Sequence, residues 1–129
     1  EQLQALCDAS LRLPLPSTTP TKITVVGSRS HSTPEVQQIV DDLKRQHGDV
    51  ELISAGSSLK ICMVAEGRAH LYPRTGPTME WDTAAGQAIA EAAGARMLVF
   101  DTDEPLSYNK ENLRNPWFIV KARGIAFDI

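Results

Sequence analysis

Two segments of this chain place hydroxyls, a cation or a carboxylate where a helix should begin, and each has a chemistry open to it. Gly56-Ser57-Ser58-Leu59-Lys60 precedes an apolar run. The free backbone N–H groups and dipole of a helix start form an anion site there. The glycine and lysine spacing is not that of a P-loop. The plainer alternative is an N-cap by Ser57 or Ser58, with Lys60 in solvent. Glu80-Trp81-Asp82 opens a second helical run just after a Gly-Pro loop. Asp82 there either caps the helix and complements its dipole or, held at a rigid terminus, serves as a metal ligand or general base.

Three further clusters are weaker. Gly27-Ser28-Arg29-Ser30-His31 follows a strand-like run, at the carboxyl edge where open α/β sheets bind ligands; taken alone, His31 reads as a solvated loop histidine. Arg74 ends another strand-like run before Thr75-Gly76-Pro77-Thr78 and points to the same edge, though a surface arginine is the default. Asp101, Asp103 and Glu104 imitate a calcium loop, but Pro105 and Leu106 stand where a further ligand and the glycine are needed. That excludes an EF-hand and leaves a solvated turn.

The elements that must position these groups alternate. Residues 1–20 hold a short helical pattern (Leu3, Leu6, Cys7) and then three prolines, which reads as a leader or linker. Residues 21–129 form the domain proper. Lys22–Gly27 is a β-branched strand closed by glycine. A helix follows, capped by Ser32 or Thr33, with Pro34 and Glu35 in its first turn, a stripe of Val36, Ile39, Val40 and Leu43, and Gly48 at its end. Asp49–Ser54 is a second strand, and Leu59–Glu66 a helix apolar nearly all round, hence buried. Ala69–Arg74 is a third strand, whose Pro73 implies a sheet edge or a strand end. Trp81, Ala84, Ala85, Ala88, Ile89, Ala92 and Ala93 recur at helical spacing up to Gly94. Arg96–Phe100 and Trp117–Ala122 are the last strands. The alternation predicts an α/β fold, a layered mixed β-sheet with covering helices.

Composition bounds the function. A chain of 129 residues, 42% hydrophobic, has the length and core of one domain. Its net charge of −3, with no block of like charge, argues against broad binding to nucleic acid or an anionic membrane. Cys7 and Cys62 form neither a disulfide framework nor a Cys-x-x-Cys motif; reduced thiols fit a cytoplasmic protein. No membrane span or secretory signal is expected, which leaves peripheral association with the inner membrane open. The chain opens on Glu1, so a processed or cut start is expected.

In order along the chain, Ser-Arg-Ser-His (28–31), Gly-Ser-Ser-Leu-Lys (56–60), Ala-Glu-Gly-Arg-Ala-His-Leu-Tyr-Pro-Arg (65–74), Gly-Pro-Thr (76–78), Trp-Asp-Thr-Ala-Ala-Gly (81–86) and Pro-Leu-Ser-Tyr (105–108) closely resemble the carboxyl-terminal half of the bacterial 3′(2′),5′-bisphosphate nucleotidases, the CysQ branch of the inositol monophosphatase superfamily. The likeness runs from about Lys22 to Val120. It implies the carboxyl-terminal domain of that phosphatase fold and a Mg²⁺-dependent phosphomonoesterase that converts adenosine 3′,5′-bisphosphate to AMP in sulfate assimilation. Mg²⁺ ions there activate water and stabilise the leaving oxygen. By motif match Asp82 is a metal ligand close to the substrate, while His31, Ser57, Lys60 and Arg74 line the nucleotide side. Cations there would supply donors and charge to phosphate and ribose.

The family's amino-terminal half carries a Glu-Glu pair and an Asp-Pro-x-Asp-Gly-Thr loop, and neither occurs here. With one expected carboxylate, Mg²⁺ affinity should be poor, and the chain by itself is expected to be inactive. The partner expected for its exposed apolar surface is the missing half or a second copy. Two alternatives stand beside this reading: an inositol monophosphatase or fructose bisphosphatase type of sugar phosphatase, and a non-catalytic module that binds nucleotide or a partner chain.

Overall fold

A computed structural model describes residues 1–16, 22–28 and 32–125. Helix α1 (Gln2–Ala9) has no buried residue, whereas Leu13 beyond it packs against the core. Strand β1 (Ile23–Gly27), helix α2 (Pro34–His47) and strand β2 (Val50–Ser54) form the first crossover. Thr33 caps α2 by accepting the Val36 N–H at 3.3 Å. Val36, Ile39, Val40 and Leu43 are its buried stripe, and the helix stops at Gly48, whose φ of 85° suits glycine. Helix α3 (Leu59–Glu66) and strand β3 (Leu71–Arg74) form the second crossover; helix α4 (Glu80–Ala92), β4 (Arg96–Val99) and β5 (Phe118–Lys121) complete the chain.

The sheet order is β2-β1-β3-β5-β4. β1 pairs in parallel with β2 and β3, and β5 runs antiparallel to β3 and β4. Side-chain alternation gives two cores. Val25, Leu71, Leu98 and Ile119 pack on the side of α2, and Val26, Tyr72, Met97, Phe118 and Val120 pack on the side of α3 and α4. The sheet is therefore mixed and covered by helices on both faces, as the alternation of elements predicts.

One expectation needs correction. Of the two readings of Pro73, the sheet edge fails, because β3 is the central strand, and the strand end holds, because Pro73 is next to last in Leu71–Arg74. Proline is tolerated there because the β1–β3 register is the single pair Val25↔Leu71, so Pro73 has no ladder with β1 to break. Helix α4 packs by its small and polar residues. Its burial falls on Glu80, Thr83, Gly86, Gln87 and Ala90, and the apolar stripe that defines the helix turns outward, with Trp81 67% and Ile89 46% exposed. Small residues face inward because α4 lies close to α3: a Cβ on Gly86 would come within 2.9 Å of Ile61 Cδ1.

Candidate functional site

The first crossover leaves β1 toward β2 and the second returns past β1 to β3, so the strand order reverses between β1 and β3. Open α/β sheets bind ligands outside the carboxyl ends of strands at such a point. A cavity of about 600 Å³ lies there. Ser28 after β1, Ala55 to Ser58 after β2, Arg74 ending β3, and the first turns of α3 and α4 enclose it.

Of the five residues singled out as site candidates, Ser57, Lys60, Arg74 and Asp82 all line this cavity. His31 lies outside the described residues. Neither serine plays the capping role that was the plainer alternative. Ser58 sits at the N-cap of α3 without a side-chain cap bond, and Ser57 has a left-handed φ of 52°. Nor does Lys60 reach solvent. It is 3% exposed, donates to Ala55 O at 3.1 Å, and its Nζ lies 5.4 Å from the centre of the Tyr72 ring. Burial, and secondly the Arg74 guanidinium, hold Lys60 below the ordinary lysine range. Arg74 is half-buried rather than a surface residue; it donates to Pro77 O at 3.3 Å while its Nε is buried without a partner. Among the described residues neither cation forms an ion pair.

Asp82 stands in the first turn of α4, where its Oδ2 accepts the Met79 N–H at 2.8 Å. The capping role is thus present, and the carboxylate also lines the cavity. It does not make a metal site by itself: among the described residues no group of three or more His, Cys, Asp or Glu could hold an ion. A hard divalent cation needs several oxygen ligands, and of these Asp82 supplies one carboxylate to the cavity.

Sequence reasoning missed the floor of the cavity. Tyr72 and Phe118 form it, their rings edge to face at 5.8 Å, and burial pushes the Tyr72 phenol above its usual range. The period of two along Leu71–Arg74 places Tyr72 and Arg74 on one face, a signal that could have joined them. Also missed was the polar segment that grips the start of α4. Glu80 accepts from the backbone N–H groups of Asn109 and Lys110 and pairs with Lys110 Nζ at 2.6 Å. The Lys110 bond holds its carboxyl below the usual range.

The profile of the inositol monophosphatase family matches residues 3–126. The 3′(2′),5′-bisphosphate nucleotidase CysQ of Escherichia coli K12 is 50% identical over 97 residues, covering 74% of this chain and 37% of that protein. The crystal structure of CysQ from Bacteroides thetaiotaomicron superposes with a TM-score of 0.84 at 57% identity, covering 93% of this chain and 44% of that one. Inositol monophosphatase II from Staphylococcus aureus shares the fold at a TM-score of 0.62 and 18% identity, over 91% of this chain and 42% of that one. The chain thus spans less than half the length of these relatives. Its match along nearly all of its own length, with the cavity at the strand reversal, makes it a member of the inositol monophosphatase family.

Proposed function

We propose that this chain is the nucleotide-binding portion of a 3′(2′),5′-bisphosphate nucleotidase, whose complete form hydrolyses the 3′-phosphate of adenosine 3′,5′-bisphosphate to give AMP and phosphate. One observation carries the reading: two cations, Lys60 and Arg74, share a cavity with no ion-pair partner among the described residues, and one of them is 3% exposed. Charge buried in this way is costly unless an anion meets it. A phosphate does so, and the Arg74 Nε left without a partner is a donor for one of its oxygens. The hydroxyls of Ser28, Ser57, Ser58 and Thr78 line the same space and suit a ribose or further phosphate oxygens. The names of the CysQ relatives reported above supply the substrate class.

Within this chain the chemistry is binding and orientation. Lys60 and Arg74 neutralise the phosphate, the hydroxyls of Ser57 and Ser58 stand beside them at the start of α3, and the Tyr72–Phe118 floor excludes water from beneath. Asp82 contributes one oxygen toward a Mg²⁺ site whose other carboxylates lie outside this chain. Hydrolysis therefore requires the remainder of the family fold, in the cytoplasmic sulfate-assimilation role that the resemblance implies. Calorimetry tests the reading. The 129-residue chain should bind AMP and adenosine 3′,5′-bisphosphate in the absence of Mg²⁺, bind inositol monophosphate more weakly, and release no phosphate with Mg²⁺ present. Phosphate release by the chain alone, or failure to bind either nucleotide, overturns it.

A further inference from the structure

The segment Thr78–Thr83 forms one wall of the cavity, contributing Thr78, Trp81, Asp82 and Thr83 to its lining. Its shape comes from a residue that is not part of that lining. Asn115 is 5% exposed. Its Nδ2 lies 3.1 Å from Thr78 Oγ1, 3.0 Å from Met79 O and 2.9 Å from Thr83 Oγ1. The orientation of the carboxamide is fixed, because the reversed group would set its oxygen against the Met79 carbonyl. The backbone adds two bonds beside it, Asn115 N–H to Thr78 O at 2.8 Å and Glu80 N–H to Leu113 O at 2.9 Å. Hydroxyl contacts continue from Thr83, which also donates to Glu80 O at 3.4 Å. The same hydroxyl lies 3.1 Å from Tyr108 Oη, and Tyr108 donates to Gln87 Oε1 at 2.5 Å.

Asn115 Oδ1 has no partner. A side chain chosen for stability alone would not bury an unmet acceptor; one chosen because its two N–H groups are shared among three acceptors accepts that cost. We infer that Asn115 is a positioning residue for the nucleotide cavity: one carboxamide ties the loop before α4 to its first turn and so sets where Trp81 and Asp82 stand. The inference rests on the nucleotide reading above and goes beyond it, since Asn115 acts only through Thr78, Met79 and Thr83.

The test compares the unchanged chain with Asn115→Leu, similar in volume and without donors, and Asn115→Ser, a milder variant in case the first does not fold. Two quantities are read: hydrogen exchange at the Glu80 and Asp82 amides against the sheet amides of Val25 and Val120, and calorimetric affinity for AMP. In the variants the Glu80 and Asp82 amides should exchange faster while the sheet amides keep their rates, and AMP affinity should fall about tenfold, the size of one lost hydrogen-bonding group. A merely structural Asn115 would lower thermal stability and speed exchange throughout, with AMP affinity of the folded chain unchanged; that result overturns the inference. The nucleotide reading fails separately, if the unchanged chain binds AMP no better than Lys60→Met does. Unaltered exchange at Glu80 and Asp82 then overturns the positioning role as well, by a measurement that needs no ligand.

Discussion

Lys60 is where stability and binding pull in opposite directions. Burial and Arg74 disfavour its charged form, so the folded chain carries a penalty at neutral pH that is relieved as pH rises through the lowered folded value toward the ordinary one. Lys60→Met keeps the length of the side chain and removes the charge. Thermal or urea unfolding at pH 7 should show a gain of about 0.5–2 kcal/mol, shrinking as pH approaches roughly 10. The same variant should lose about 10–100-fold in AMP affinity, the size of one charge-assisted hydrogen bond. A destabilised variant, or one with unchanged affinity, sinks the assignment. What the sequence carried at this scale was grouping: motif order assembled Ser57, Lys60, Arg74 and Asp82, which the structure brings to one cavity. It did not carry orientation. A lysine two residues after a Ser-Ser pair reads as solvated, and only the Ala55 carbonyl and the Tyr72 ring, brought in by neighbouring elements, turn it inward.

Among the elements, the parallel pair β1 and β3 is closed at one end by a side chain. His70 Nδ1 accepts the Thr24 N–H at 2.8 Å, while the His70 N–H donates to Thr24 O at 2.8 Å. Burial lowers the imidazole pKa. A depressed folded value means that the stabilisation is present above the unfolded value of about 6.5 and is lost as pH falls below it. Stability measured by urea unfolding should therefore decline from pH 7.5 to 5.5. His70→Asn, whose Oδ1 can accept the same N–H without titrating, should flatten that decline; an unchanged slope removes His70 as its cause. The contact between α3 and α4 supplies a second test. Gly86→Val drives two methyls toward Ile61 and should cost about 1–3 kcal/mol by overpacking; a thermal midpoint no lower than that of the unchanged chain refutes the close approach. Most elements were legible because each had its own local signal, such as the Thr33 cap and the single buried stripe of α2. Sheet order was not. The central place of β3 depends on a reversal of crossover direction that no local residue encodes, and Pro73, which reads as a sheet edge or a strand end, does not tell the two apart.

At the scale of the whole molecule, the outward face of α4 is the feature that a single domain does not explain. Trp81, Ala84, Ala85, Ala88, Ile89 and Ala92 form an exposed stripe. Helical periodicity identified the element correctly and could not say which side of it this chain would bury, because the period is the same whether the cover comes from this chain or from elsewhere. Relatives more than twice as long as this chain make the remainder of the family fold the expected cover. When the chain stands alone, that apolar face has water against it and another copy is the available partner. Sedimentation of the 129-residue chain should accordingly show a weight-average mass that rises with concentration. Ile89→Glu places a charge in the middle of the stripe, well along α4 from the cavity lining at Thr78–Thr83. It should return the mass to that of one chain while leaving AMP binding intact. If the variant self-associates as strongly as the unchanged chain, the α4 stripe is not the contact; if it loses AMP binding too, association and the nucleotide cavity are coupled through α4.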